Sequence, residues 1–211
     1  MRIAFAGNPN SGKTTMYNAL TGRNEKVGNW AGVTVDKKVA PIKKTYSGDQ
    51  ELIAVDLPGA YSMSPFTSEE SITSSYVKEE YPDAIINIVD ANNLSRSLFF
   101  TTQLLELGIP VVVALNKHDI NKKKETRIDA AALSEKLGCP VIETTSTNGA
   151  GLKEVVQAAA ALNGQHHCVA HAVIAPHHQQ IIDHPHRHTI GGQHHVIGLQ
   201  ARRLGTGALC H

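Results

Sequence analysis

A glycine-rich loop between an apolar strand and a helix constrains this chain more than any other feature. Gly7-Asn8-Pro9-Asn10-Ser11-Gly12-Lys13-Thr14 fits the pattern G-x-x-x-x-G-K-[ST] and follows the apolar run Arg2–Ala6. Glycines let the main chain wrap around a polyphosphate, and the N–H groups that begin the next helix present partial positive charge to it. In this pattern Lys13 bridges the β- and γ-phosphates, and the Thr14 hydroxyl binds Mg²⁺. We therefore predict a phosphate-binding loop.

Short β-branched runs alternate with helical stretches up to residue 163, which indicates an α/β fold whose sheet is mostly parallel, with helices on both faces. The predicted strands are Arg2–Ala6, Lys37–Lys44, Leu52–Asp56, Ala84–Asp90, Val111–Leu115 and Val141–Thr144. The predicted helices are Lys13–Leu20, Ser68–Glu80, Leu94–Leu107, Ala130–Leu137 and Leu152–Leu162. We expect six strands, the second of them antiparallel, in one domain at residues 1–163. The stretch from Thr21 to Asp36 is predicted to be a long functional loop.

Composition excludes several function classes. Hydrophobic residues make up 41% and charged residues 18%, which is typical of globular proteins and excludes global disorder, collagen and coiled coils. The balance of 20 Lys+Arg against 19 Asp+Glu gives +1, so we expect no nucleic-acid partner. No apolar run approaches membrane-spanning length and no signal peptide follows Met1, which predicts a soluble, unsecreted chain. Cys139, Cys168 and Cys210 lack the spacing of a zinc site and suit a reducing compartment.

A second motif follows the third predicted strand. In Asp56-Leu57-Pro58-Gly59, Asp56 would hold Mg²⁺ through a water, and the Gly59 N–H would contact the γ-phosphate. Alone, this motif is also typical of an ordinary turn at a strand end. Its place after the phosphate loop favours the phosphate-binding interpretation.

Two later motifs predict the base. In Asn116-Lys117-His118-Asp119, the Asp119 carboxylate would accept hydrogen bonds from the guanine N1–H and amino group, which adenine does not offer. Asn116 would contact the base and brace the phosphate loop, while the Lys117 stem would cover the ring. Main-chain N–H groups of Thr145-Ser146-Thr147 would bind the guanine O6. Each stretch alone is also typical of a helix cap or turn, but the order of the four motifs predicts the small G-protein (P-loop NTPase) fold and guanine-nucleotide binding.

The long loop carries the most specific stretch of the chain. Val27-Gly28-Asn29-Trp30-Ala31-Gly32-Val33-Thr34-Val35, taken with the phosphate loop and Asp56-Leu57-Pro58-Gly59-Ala60-Tyr61-Ser62, resembles the FeoB family of ferrous iron transport proteins, which belong to the TrmE-Era-Era-like small GTPases. The likeness covers about residues 1–162. It implies a cytosolic G domain, which family members join to a helical domain and a polytopic membrane domain. We expect neither of those two domains within these 211 residues.

The resemblance also implies switch roles. Thr34 is implied to be the switch I threonine that closes onto Mg²⁺ and the γ-phosphate, and Asp56-Leu57-Pro58-Gly59 begins switch II. Ala60 stands where Ras-like proteins carry the glutamine that orients the attacking water, and a methyl group cannot orient water.

As a substitute for that glutamine, the resemblance implies a K⁺ ion. The Asn10 side chain and main-chain carbonyls around Gly28 and Trp30 would hold it, and its charge would stabilise the transition state. Asn10 is also typical of a turn after Pro9. Trp30, in a loop we expect to be exposed, is either a packing residue or part of a moving contact.

The predicted site is therefore large. The catalytic residues are Lys13, Asn10, Thr34 and Gly59; the Mg²⁺ ligands are Thr14, Thr34 and Asp56; and the K⁺ ligands are Asn10, Gly28 and Trp30. The predicted nucleotide-binding residues are Gly7, Asn8, Pro9, Asn10, Ser11, Gly12, Lys13, Thr14, Thr15, Gly32, Val33, Thr34, Asp56, Gly59, Asn116, Lys117, Asp119, Ser146 and Thr147.

Composition changes abruptly after Asn163. Residues 164–211 contain eleven of the twelve histidines and neither Lys nor Glu. Imidazoles bind Ni²⁺, Zn²⁺ or Fe²⁺, but no carboxylate or thiolate cluster accompanies them. A metal-binding tail, a disordered extension and translation in a wrong frame all stay open.

We expect slow, Mg²⁺-dependent and K⁺-stimulated hydrolysis of GTP to GDP and phosphate, which would regulate ferrous iron uptake in a FeoB-like transporter. The expected location is cytoplasmic, at the cytosolic face of the inner membrane in a full-length transporter. Two alternatives stay open: a nucleotide- or metal-binding module without catalysis, and a GTPase with another role such as ribosome assembly. Self-association also stays open.

Overall fold

A β-sheet with helices on both faces forms the described part of the chain, which in this computed structural model comprises residues 1–22, 26–30, 34–117 and 128–162. The strands are β1 (Arg2–Gly7), β2 (Lys26–Asn29), β3 (Asp36–Pro41), β4 (Ile53–Asp56), β5 (Ala84–Asp90), β6 (Val111–Asn116) and β7 (Val141–Glu143). The described helices are α1 (Lys13–Thr21), α2 (Lys44–Ser47), α3 (Ser68–Ser75), α4 (Leu94–Leu105), α5 (Ala130–Leu137) and α6 (Leu152–Ala161). A π-helical segment, Tyr76–Glu80, continues α3, and a 3₁₀ turn, Ala91–Asn93, precedes α4.

The sheet has the strand order β2-β3-β4-β1-β5-β6-β7. Strands β4, β1, β5, β6 and β7 run parallel to one another, whereas β3 is antiparallel to both β4 and β2. This confirms the α/β class and the antiparallel second predicted strand. Because β4 lies on one side of β1 and β5 on the other, the topological switch point lies beside β1, at the sheet edge where α/β proteins bind ligands.

The expected strand count of six was wrong, because the described sheet has seven strands. The additional strand is β2, within the stretch from Thr21 to Asp36 that was predicted to be a loop. It has four residues, includes Gly28, and pairs with β3 at the edge of the described sheet. Glycine and asparagine disfavour strands, so the sequence carries no strand signal there. The second predicted strand also ends early, at Pro41, because helix α2 begins at Lys44, three residues later.

Side chains of each inner strand alternate between two cores, one on each face of the sheet. On one face, Phe5 packs against Tyr17 of α1 with ring centroids 5.8 Å apart, and α6 completes this layer. On the other face, residues of α3, the π-helical segment and α4 pack against the remaining strand side chains. Strands covered on both faces have nearly continuous apolar runs, as the sequence of β5 predicts.

Helix boundaries follow their capping residues. The Asp129 carboxylate accepts hydrogen bonds from the N–H groups of Ala131 and Ala132, and Gly138 ends α5 in a left-handed conformation. The helix predicted at Ser68–Glu80 is instead α3 followed by the π-helical segment. Within the described ranges, the structure contains no helix with both the length and the apolarity needed to cross a membrane.

Candidate functional site

A cavity of about 720 Å³ lies at the carboxyl edge of β1, where the phosphate loop leads into α1. Nine of its lining residues belong to the predicted site: Asn8, Pro9, Asn10, Gly12, Lys13, Thr14, Thr15, Gly59 and Lys117. Four others were not predicted: Tyr61, Thr67, Glu69 and Glu70. The cavity therefore joins the phosphate loop to the segment that follows β4.

Two glycines allow the phosphate loop to pass close to its neighbours. A Cβ atom on Gly7 would lie 2.6 Å from the Ile88 carbonyl oxygen, and one on Gly12 would lie 2.3 Å from Asn116 Nδ2. Gly12 has a φ of +92°, which other residues rarely adopt. Asn10 also has a positive φ, of 65°, at the tip of the loop. At Gly7 and Gly12, only glycine therefore fits without displacing a neighbour.

The start of α1 faces the cavity with its main-chain donors. Gly12 provides no capping side chain, and the first turn contains no acidic residue. Lys13, Thr14 and Thr15 of this turn line the cavity. The positive end of the helix dipole and the Lys13 charge make this an anion-binding position.

Lys13 forms a buried ion pair with Asp56, the last residue of β4. Lys13 Nζ donates a hydrogen bond to Asp56 Oδ1, and each side chain is 10% exposed. Loss of one partner from a buried ion pair costs about 3–5 kcal/mol, because the other charge is left uncompensated. If the Lys13 ammonium moves from Asp56 to a bound phosphate, a cation must therefore bind Asp56 to compensate its charge. The Asp56 carboxylate and the Thr14 hydroxyl are oxygen ligands of the kind that Mg²⁺ prefers, so this donor set fits Mg²⁺.

Asn116 connects the phosphate loop to the turn after β7. Its Nδ2 donates to the Ser11 carbonyl oxygen at 2.9 Å, which is the predicted brace. Its Oδ1 accepts from Ser146 N at 3.0 Å and from Ser146 Oγ at 2.9 Å. The Asn116 side chain is thereby fixed from both ends in a buried position. Thr147 lies exposed in the same turn.

Lys117 makes a second link to the phosphate loop. Its Nζ donates to the Asn10 carbonyl oxygen at 2.7 Å and to Asp90 Oδ2 at 2.9 Å. Burial alone would raise the pKa of the Asp90 carboxyl, but hydrogen bonds from Lys117, Asn92 and Asn93 outweigh it and hold the pKa below its usual range. Asp90 thus holds Lys117 at the loop. Asp119 lies outside the described residues.

The segment of residues 56–66, the switch II segment, packs directly on the phosphate loop. A Cβ atom on Gly59 would lie 3.0 Å from Pro9 Cγ, and the Ala60 N–H donates to the Gly7 carbonyl oxygen at 3.2 Å. The Glu70 carboxylate accepts from the N–H groups of Tyr61 and Phe66, both at 3.2 Å. Hydrogen bonds therefore hold the main chain of the switch II segment from Ala60 to Phe66.

In the switch I stretch (residues 27–35), the described residues Gly28, Trp30 and Thr34 are not among those that line the cavity. Gly28 and Thr34 are exposed and do not line it, and Gly32 and Val33 lie outside the described residues. Trp30 is only 8% exposed, which corrects the expectation of an exposed loop residue. Its ring packs edge-on against Tyr76 at 5.3 Å between centroids, and Lys37 Nζ lies 4.6 Å from the ring centre. Gly28 and Trp30 are not among the residues that line the cavity with Asn10, so the K⁺ site stays a prediction.

Comparison with known proteins gives the same assignment as these motifs. A model of the family described as ferrous iron transport protein B matches residues 1–159. The chain belongs to this family. The Fe(2+) transporter FeoB of Salmonella typhimurium is 50% identical over 157 residues, which are 72% of this chain and 20% of that protein. The chain thus spans about a fifth of the length of its curated FeoB relatives.

Solved structures of FeoB G domains have the same fold. A GDP-bound mutant of S. thermophilus NFeoB aligns with a TM-score of 0.74 and 44% identity, and the alignment covers 79% of this chain and 64% of that chain. The G domain of the T. maritima FeoB iron transporter aligns with a TM-score of 0.70 and 35% identity, and the alignment covers 76% of this chain and 97% of that chain. The small G-protein fold is thereby confirmed.

The residues that sequence reasoning missed lie mainly at the start of α3. Thr67 caps this helix by accepting the Glu70 N–H at 3.2 Å, and the spacing Thr67-x-x-Glu70 is a capping-box signal. That signal predicts the helix start but not its approach to the cavity. Asp90 was also missed, although it ends the predicted strand Ala84–Asp90, at the sheet edge where the other predicted site residues lie.

Proposed function

We propose that this FeoB-family domain binds GTP with Mg²⁺ and hydrolyses it slowly to GDP and phosphate, and that it thereby regulates ferrous iron uptake by a larger transporter. The observation that supports this best is the buried Lys13–Asp56 pair beside the start of α1. The Lys13 ammonium suits a phosphate, and the Asp56 carboxylate suits a metal ion. The domain would comprise residues 1–163, and its place would be the cytosol.

Phosphate binding follows from the loop geometry. The N–H groups at the start of α1 and the Lys13 ammonium would neutralise the β- and γ-phosphates. Thr14 and Asp56 would hold Mg²⁺, with Thr34 joining them when switch I closes. When bound, Mg²⁺ supplies positive charge that offsets the charge developing on the phosphates. Because Lys13 and Asp56 compensate each other, we expect nucleotide and Mg²⁺ to bind together.

Guanine selectivity is assigned to Asp119 by its spacing from Asn116. Asn116 is held rigidly between the phosphate loop and the Ser146 turn, so the residues that follow β6 begin from a fixed position. The Asp119 carboxylate would accept from the guanine N1–H and amino group, with Lys117 covering the base and the Ser146–Thr147 main chain near O6.

Hydrolysis in this domain depends on the main chain of the switch II segment. The Ala60 methyl group cannot orient water, and the Ala60 N–H is already bonded to the Gly7 carbonyl oxygen. The Gly59 N–H and the Thr34 region would position the γ-phosphate and water after closure. Because few protein groups would contact the γ-phosphate and the attacking water, we expect a slow rate of hydrolysis. The lack of a water-orienting side chain at Ala60 also favours the alternative of a nucleotide-binding module without catalysis.

Phosphate release tests the proposal. We would measure it from GTP and from ATP with Mg²⁺, in KCl and in NaCl at equal ionic strength, for the wild type and Lys13→Met. The proposal predicts slow release from GTP, none from ATP and none from Lys13→Met, with faster release in KCl if Asn10 and switch I form a K⁺ site on closure. Absence of release from GTP in either salt would contradict hydrolysis, and tight GDP binding in the same sample would then establish the binding-module alternative.

A further inference from the structure

Helix α4 holds the switch II segment from outside, through Gln103. Gln103 Oε1 accepts hydrogen bonds from Met63 N at 2.7 Å and from Ser62 Oγ at 3.2 Å. Ser62 Oγ in turn accepts from Ser64 N at 3.0 Å. One side-chain oxygen of α4 is therefore the shared acceptor for the middle of the segment.

A second contact from α4 reaches the same segment. The Arg96 guanidinium lies 4.0 Å from the centre of the Tyr61 ring, and Tyr61 lines the cavity. Arg96 and Gln103 are seven residues apart, which places them on one face of the helix, two turns from each other. The face of α4 that carries Arg96 and Gln103 is thus turned toward residues 61–63.

Helix α4 is itself fixed to the phosphate loop and to the sheet. Asn8 Nδ2 donates to the Arg96 carbonyl oxygen at 3.3 Å, which ties the first turn of α4 to the phosphate loop. In the buried layer beneath α4, Asn87 Nδ2 of β5 donates to Thr101 Oγ1 at 2.7 Å. The position of residues 61–63 is therefore set, through α4, relative to the loop that would hold the nucleotide.

We propose that Gln103 is a positioning residue for GTP hydrolysis, which it supports by fixing the main chain of the switch II segment. This inference rests on the proposed function. Because Ala60 has no side chain that can orient water, the segment acts through main-chain groups, and these are placed by contacts from outside the segment. Gln103 provides the contact nearest to its middle.

The acceptor role of the Gln103 side chain determines which substitutions test the proposal. Both described hydrogen bonds of Gln103 are accepted by its oxygen. A carboxylate accepts the same two bonds, so Gln103→Glu keeps the contact, whereas Gln103→Leu removes the acceptor for the N–H of the buried residue Met63. Thr102→Ala is the matched control, because Thr102 is exposed on the same helix and its hydroxyl donates to the Phe99 carbonyl oxygen, away from the switch II segment.

The experiment measures single-turnover hydrolysis of GTP by excess protein in the presence of Mg²⁺, and GDP affinity under the same conditions, for the full chain and each variant. We expect Gln103→Leu to slow hydrolysis about tenfold while GDP affinity changes less than about twofold. Gln103→Glu and Thr102→Ala should stay within about threefold of the wild-type rate. A wild type that hydrolyses no GTP would contradict the proposed function itself, which separates that failure from a failure of this inference.

Three results would overturn the role of Gln103. These are an unchanged rate for Gln103→Leu, an equal loss of rate in Gln103→Glu, and a loss of GDP affinity in parallel with the rate, which would indicate a general structural role. If Gln103→Leu does not fold, Arg96→Met decides, because it removes the stacking on Tyr61 and keeps the Arg96 main chain. Slower hydrolysis with intact GDP binding in Arg96→Met supports the positioning of residues 61–63 by α4, and a wild-type rate contradicts it.

Discussion

Substitution of Gly12 by Ala should destabilise the domain and weaken nucleotide binding together. The new Cβ atom would lie 2.3 Å from Asn116 Nδ2, and the residue would keep a φ of +92°. A left-handed conformation costs a residue other than glycine roughly 1–2 kcal/mol. The displaced Asn116 amide would lose its bond to the Ser11 carbonyl oxygen, which adds roughly 1–3 kcal/mol for buried groups left unpaired. The expected loss is therefore about 3 kcal/mol.

Gly138→Ala is the matched control for this prediction. Gly138 has a φ of +68°, but a Cβ atom there meets nothing within 4 Å, so only the conformational cost of about 1 kcal/mol applies. With a urea dependence of about 2 kcal/mol per M, the unfolding midpoint should fall by about 1.5 M for Gly12→Ala and by about 0.5 M for Gly138→Ala. GDP affinity should fall at least about tenfold in the first variant only.

Urea unfolding followed by circular dichroism, with GDP affinity measured by titration, checks both expectations. Equal midpoints for the two variants, with wild-type GDP affinity in Gly12→Ala, would refute the reasoning. That result would mean that Asn116 can move aside without cost and does not brace the phosphate loop.

Four further outcomes are expected. Asp119→Asn should shift nucleotide preference from GTP to xanthosine triphosphate in competition titrations, and unchanged selectivity would count against the guanine assignment. Asn10→Ala should abolish any KCl stimulation of phosphate release while GDP binding persists; retained stimulation would exclude Asn10 as a K⁺ ligand. Trp30 is the sole tryptophan and packs against Tyr76. Its fluorescence emission should move to longer wavelength when a non-hydrolysable GTP analogue and Mg²⁺ move switch I away from Tyr76. Identical spectra with GDP and with the analogue would contradict this motion. The fold lowers the pKa of the Asp90 carboxyl, so the carboxylate stabilises the domain at pH values above its unfolded pKa of about 3.9. The stability advantage of the wild type over Asp90→Asn should therefore disappear as the pH falls through the lowered pKa. A difference in urea midpoints that does not depend on pH would refute this.

Local sequence patterns predicted the elements that carry the phosphate loop. The pattern from Gly7 to Thr14 defines a loop whose geometry depends on nearby residues, and β1 and α1 lie within one residue of their predicted bounds. Asn116 was also predicted to brace this loop, because it follows a predicted strand at the carboxyl edge of the sheet, where doubly wound folds bind nucleotides.

The predictions that were wrong or incomplete concern features that depend on contacts between residues distant in sequence. Strand β2 is stabilised by pairing with β3 rather than by its own composition. Trp30 is buried because Tyr76 of the π-helical segment and Lys37 of β3 cover it, and no spacing in the switch I stretch predicts that packing. Tyr61 and Glu70 reach the cavity only because the switch II segment folds back over Pro9.

Nucleotide binding by calorimetric titration tests the central claim most directly. Purified chain would be titrated with GDP and with ADP in the presence of Mg²⁺, with Lys13→Met as the control for the phosphate loop. The account predicts binding of one GDP per chain, ADP affinity at least about 100-fold lower, and loss of GDP binding in Lys13→Met. Equal affinity for GDP and ADP, or undiminished GDP binding in Lys13→Met, would contradict it.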